Sequence, residues 1–145
     1  MGKHSYINQF KIIKTMKTND FINAMLSMLG INGQNYQFNY FHLPRIYCKD
    51  GFNISVQVNE GSYSGSENGY RKFGKEWKLV EWGFPSEAID CIKYNSESEN
   101  TIGSVGSVEI ELIDELLESH GGIDILATLS NATEWFKREK PYILR

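Results

Sequence analysis

Between residues 52 and 58 the chain alternates without a break, with Phe52, Ile54, Val56 and Val58 on one side and Asn53, Ser55 and Gln57 on the other. A period of two sends alternate side chains to opposite faces of an extended backbone, so this stretch is a half-buried strand and no helix fits it. A second alternation follows, Trp77, Leu79 and Glu81 against Lys78, Val80 and Trp82. Two such runs joined by a polar insert describe an antiparallel pair with an oversized, adaptable connection. Lys49-Asp50-Gly51 has the chemistry of a tight turn, which makes Ile46 and Cys48 the preceding strand. Tyr36, Phe38 and Tyr40 alternate with Gln37 and Asn39 and read as another strand with an aromatic face. Pro44 marks an edge or a break, and Val105 with Val108 a short strand.

Helical spacing frames this sheet. Thr18-Asn19-Asp20 supplies N-cap candidates ahead of Phe21, Ile22, Met25, Met28 and Leu29, and Gly30 and Gly33 close a helix over 18–30 whose apolar face includes both methionines. Gly83-Phe84-Pro85-Ser86 ends the second alternating run, with Ser86 expected to cap a helix carrying Ala88, Ile89 and Ile92. Residues 95–104 read as a polar, mobile connector. Ile110, Ile113, Leu116 and Leu117 mark an amphipathic helix over 109–120, closed by His120-Gly121-Gly122. A last helix runs through Leu126, Leu129, Trp135 and Phe136 and stops before Pro141. The fold class that follows is α+β: one domain spanning 1–145, an antiparallel sheet packed by two to four helices. A chain of 145 residues is long enough to bury roughly 68–70% of its unfolded surface in one core.

Several function classes are disfavoured. No apolar run approaches the roughly 18–20 residues of a membrane span, and the first residues hold no apolar signal core, so neither membrane nor export is expected. Cys48, Cys91, His4, His42 and His120 are too few and too scattered for a zinc site, so no metal and no cofactor is expected, and both thiols are expected reduced. Cys48 with His42 or His120 is the one nucleophile–base pairing on offer. Cys48 lies in register with Ile46, as a core thiol would, and no elbow, oxyanion motif or third member accompanies it. The expected function is therefore non-catalytic, with a small nucleotide-processing enzyme as an alternative.

Charge is unevenly spread. Residues 1–80 carry ten Lys/Arg against five Asp/Glu, and the remainder five against thirteen, giving +5 and −8 within a net −3. Such a dipole orients a charged partner or stacks protomers, which keeps a homo-oligomer open. Residues 59–70 use the Tyr, Ser, Gly and Asn vocabulary of adaptable recognition loops. Cations then interleave with aromatics through Tyr70, Arg71, Lys72, Phe73, Lys75 and Trp77. Charge from Arg71, Lys72 and Lys75, ring faces from Tyr63, Tyr70 and Trp77, and hydroxyls from Ser62, Ser64 and Ser66 suit a nucleotide-like ligand. Duplex DNA is disfavoured because the whole chain is acidic. The alternative surface is acidic: Glu109, Glu111, Asp114, Glu115 and Glu118 on the outer helix face, facing a protein partner.

Leu43-Pro44-Arg45-Ile46, Cys48-Lys49-Asp50-Gly51-Phe52, Ser55-Val56-Gln57, Gly83-Phe84-Pro85-Ser86 and His120-Gly121-Gly122-Ile123 occur in that order. Together they resemble a group of small, mostly uncharacterised proteins of bacteriophages and prophages, over about residues 43–123, with residues 124–145 as a helical extension. In that group the segment after Ser-Val-Gln tends to read Tyr-Cys-Ser-Pro-Arg, whereas this chain has Tyr63-Ser64-Gly65-Ser66-Glu67 and lacks the Cys, Pro and Arg. The resemblance implies a host cytoplasm and an accessory role against bacterial immunity. That role is either sequestering a nucleotide-like signal or, in the anti-CRISPR manner, inhibiting a defence nuclease.

Overall fold

The computed structural model describes residues 16–90, 93–94 and 105–144. The alternating run forms β2 (Asn53–Gln57), paired antiparallel to β1 (Ile46–Tyr47) across the Lys49-Asp50-Gly51 turn, where Gly51 adopts φ +96°. A positive φ of that size is open to glycine at little cost, which is why the turn is tight. The long central strand is β5 (Trp77–Gly83). Its residues 81–83 lie between β2 on one edge and β6 (Val105–Glu109) on the other. Two short strands, β3 (Gly65–Ser66) and β4 (Gly69–Tyr70), complete an all-antiparallel sheet of order β1-β2-β5-β3-β4.

The connection is more structured than a plain hairpin loop. β3 continues along the same edge of β5 that β2 uses, with Gly65 opposite Leu79 and Ser66 opposite Trp77. Residues 58–64 are thus looped out of one interrupted strand. The ladder slips by one residue between Gly65 and Ser66, and both Trp77 and Val80, at an odd separation, are buried. A bulge of this kind re-aims a side chain in that way. Trp82 is buried against Tyr94, and its indole N–H donates to the Tyr94 carbonyl at 2.8 Å.

Among the described residues three helices cover the sheet: α1 (Thr18–Leu29), α2 (Ile110–Ser119) and α3 (Ile125–Glu139). Phe52, Ile54, Val56, Val58, Ile113, Leu116 and Leu117 all face the core, as the two periods require. Gly30, at φ +80°, returns its N–H to the carbonyls of Leu26 and Ser27 and stops α1.

Five local readings are corrected. None of Thr18, Asn19 or Asp20 caps α1 locally; the Thr18 N–H is taken by Asp114 Oδ1 of α2 at 2.8 Å, a carboxylate at the positive end of the helix. Met28 is 43% exposed, so only Met25 of the two methionines is core. Tyr36–Phe38 is a 3₁₀ turn, with Tyr36 buried and Phe38 and Tyr40 exposed. Asn32 and Asn35 fold that turn by side-chain bonds to the backbone, the local competition that asparagine offers to a strand. Ser86 caps no helix through residue 90; its Oγ accepts the Asn53 N–H and its N–H donates to the Asn53 carbonyl, tying residue 86 to β2. Finally, α3 exposes Leu126 and Leu129 and buries Thr128, Ala132 and Trp135, because Thr128 Oγ1 bonds both N–H and C=O of Tyr47 and finishes the β1 edge. Ile92, Cys91 and the connector 95–104 lie outside the described residues.

Candidate functional site

The 59–78 segment is built from the inside out. Asn59 begins it: its amide donates to the Phe41 carbonyl, its Oδ1 accepts the Gly61 N–H, and its carbonyl accepts both N–H and hydroxyl of Ser62. Tyr63 is then laid across the sheet. Its N–H donates to Glu81 on β5 at 3.0 Å, and its carbonyl accepts the Ser107 hydroxyl from β6 at 2.8 Å. Gly65 passes so close to β4 that a Cβ there would sit 2.6 Å from the Gly69 carbonyl oxygen. Only glycine fits. The ladder sets Tyr70 opposite Gly65, and the Arg71 N–H reaches the Ser64 carbonyl at 2.8 Å. Arg71 itself sits at φ +55°. A non-glycine residue held there carries local strain that its surroundings must offset.

The far side is stapled by a carboxylate. Glu67 accepts the Lys75 N–H at 3.1 Å with one oxygen and the Glu76 N–H at 2.8 Å with the other. Backbone N–H bonds, from Glu67 itself first and then from Glu76 and Lys75, hold its carboxyl below the ordinary glutamate range. An anion-binding arrangement of backbone amides is therefore already occupied by the protein's own side chain. From behind, Asn19 and Asn23, one turn apart on α1, both donate to the Lys75 carbonyl and accept from Trp77, Asn19 from its backbone N–H and Asn23 from its indole N–H.

This construction divides the residues expected to bind. Ser62, Ser64 and Ser66 are buried: Ser62 and Ser64 share a hydrogen bond at 2.8 Å, and Ser66 Oγ accepts the Asn68 N–H. They hold the segment together and present no hydroxyl to a ligand. Trp77 is 1% exposed, ringed by Tyr36 and Phe73, and offers no stacking face. Tyr63, Tyr70, Arg71, Lys72 and Lys75 remain on the surface, with the Arg71 guanidinium 5.2 Å from the Tyr70 ring centroid. The exposed rim of the segment thus carries three cations and two phenol rings, together with the carboxylates of Glu67 and Glu76.

The acidic alternative sits elsewhere. Glu109 ends β6 and precedes α2, and Glu111, Glu115 and Glu118 are exposed along α2. These last three, with Asp114, line a groove of about 460 Å³ that Lys17 and residues 121–123 complete. Of the nucleophile–base pairing, Cys48 is buried, donates weakly to the Leu117 carbonyl at 3.7 Å, and has its thiol pushed up to about 12 by burial and then by the Asp50 charge. Its two candidate histidines have other partners. His120 lies flat on Phe52, with centroids 4.0 Å apart, and sits between Asp50 and Glu87. His42 faces Tyr40 and Glu139. Sequence spacing gave no hint of the Asp50–His120 contact, which spans seventy positions. Among the described residues no three His, Cys, Asp or Glu side chains converge on a metal position, and no helix is long and apolar enough to cross a membrane.

No family model, curated protein or solved structure matches the chain.

Proposed function

We propose that the protein acts by binding, and that its working surface is the rim formed by Tyr63, Tyr70, Arg71, Lys72 and Lys75. One observation carries this reading: the cations and the two phenol rings are exposed on a segment whose three serine hydroxyls, Trp77 indole and Glu67 carboxylate are engaged internally. The backbone that carries these side chains is held before any ligand arrives, which lowers the ordering cost of binding. Cations draw a phosphate from a distance, and a ring face adds roughly 1–3 kcal/mol per stacked base. A nucleotide-like, phosphate-bearing molecule is the ligand class that uses both. The resemblance to phage accessory proteins gives the biological form of the proposal: withholding such a signal from bacterial immunity in a host cytoplasm.

A second reading, direct inhibition of a defence protein, is favoured by the groove of about 460 Å³ beside the exposed Glu111, Glu115 and Glu118. Native mass spectrometry of the protein purified from infected cells separates the two. A co-purifying mass of nucleotide size supports the rim. A stoichiometric protein partner, released by charge reversal at Glu111 and Glu115, supports the groove and overturns the rim.

A further inference from the structure

We propose that Tyr40 is a reactive nucleophile, with His42 as its base, that takes an acyl group from an uncharged activated ester. Tyr40 and His42 are two residues apart on an extended stretch, so their side chains share a side. The backbone beneath them is clamped at three points. Asn39 exchanges side-chain hydrogen bonds with both N–H and C=O of Leu144, the Phe41 carbonyl accepts from Asn59, and the His42 carbonyl accepts from the Trp135 indole. Above this clamp the Tyr40 hydroxyl lies 3.3 Å from His42 Nε2, with the two rings edge to face at 87°. His42 Nδ1 lies 3.9 Å from Glu139 Oε1. Phenol and imidazole are thus within hydrogen-bond reach, as a nucleophile and its base require, and the carboxylate stands at ion-pair distance on the other imidazole nitrogen, where it favours the imidazolium that forms. The phenol is accessible: Tyr40 is 67% exposed.

The reaction balances without a cofactor. The Tyr40 oxygen bonds to the acyl carbon, the ester C–O bond breaks, the phenol proton passes to His42 Nε2 and on to solvent, and the activated leaving group departs as its stabilised oxyanion. The charged and titratable groups that the structure places around His42 are Tyr40 and Glu139, with Arg138 Nε 3.4 Å from the same Glu139 oxygen. The Glu139 carboxylate beside the pair repels an anionic donor, and the Arg138 guanidinium near it is paired with that same carboxylate oxygen. An uncharged ester is the electrophile that fits.

The chain contains its own controls, since Tyr63, Tyr70 and Tyr142 are 58%, 51% and 78% exposed. The whole protein is treated with p-nitrophenyl acetate, and acetylation is timed at each tyrosine by peptide mass mapping. Tyr40 is expected to react about tenfold or more faster than Tyr142, a conservative share of what a positioned base contributes. His42→Gln should bring Tyr40 down to the rate of Tyr142. Glu139→Gln, which acts through His42, should slow Tyr40 in part and shift the pH at which its rate rises. If wild-type Tyr40 reacts no faster than Tyr142, or if His42→Gln leaves the ratio unchanged in a folded protein, the proposal is overturned.

Discussion

Asn23 accepts the indole N–H of Trp77 at 3.2 Å, and this bond holds the ring on the inner side of the 59–78 segment. Trp77 then packs against Phe73 and Tyr36 at centroid distances of 5.9 and 5.8 Å. Asn23→Leu removes both this bond and the one its amide donates to the Lys75 carbonyl, and should lower unfolding free energy by about 1–3 kcal/mol in urea titrations. A substitution on the outer face of α3, such as Asn131→Ala, should stay within about 0.5 kcal/mol. Equal effects of the two would mean that the Asn23 bond contributes nothing.

The strands and α2 were legible because burial on one face imposes a period on the sequence, and Phe52 to Val58 and Ile110 to Leu117 keep those periods cleanly. What was not legible came from polar side chains acting as backbone partners. Gln57 sits on the polar phase of its strand yet is buried, because its amide exchanges both hydrogen bonds with Leu43 and stands in for another strand. Asn32 and Asn35 likewise turn an apparent strand at Tyr36 into a 3₁₀ turn. At the rim, Tyr70, Arg71 and Lys72 were readable from composition. The inward turn of Ser62, Ser64 and Ser66 was not, since a serine serves a ligand or the protein's own backbone equally well.

Gly106 faces Trp82 across the β5–β6 ladder, and a Cβ at residue 106 would come within 2.8 Å of the indole. A ring locked by Tyr94 has little room to yield. Gly106→Ala should therefore cost about 1–3 kcal/mol through overpacking, read from the shift in urea midpoint at constant slope.

Asp50 makes a pH signature. Its carboxyl is held below the ordinary aspartate range, first by the Phe52 N–H and then by His120. A folded-state pKa lowered in this way stabilises fully above the unfolded value of about 3.9, and the contribution is lost as pH falls through the lower folded value. Asp50→Asn keeps an acceptor for Phe52 but removes the charge. Its Tm should lie below wild type at neutral pH, and the difference should shrink below about pH 4. A gap that is constant from neutral to acid pH would show that the charge is not its source.

Cys48 is 2% exposed with its thiol pushed up to about 12, so the thiolate is scarce and shielded. Iodoacetamide should leave Cys48 unmodified in the native protein and alkylate it in denaturant. Rapid native labelling would place Cys48 on the surface and reopen a thiol chemistry.

The rim itself is tested most directly by titrating labelled mono- and dinucleotides at about 50 and 200 mM salt against wild type and the double variant Arg71→Ala/Lys72→Ala. Both side chains are exposed, so the variant should melt at the wild-type temperature. Its affinity should fall about tenfold or more, and its salt dependence should flatten as phosphate contacts are lost. Unchanged affinity and an unchanged salt slope in the double variant would contradict the assignment of this surface to a phosphate-bearing ligand.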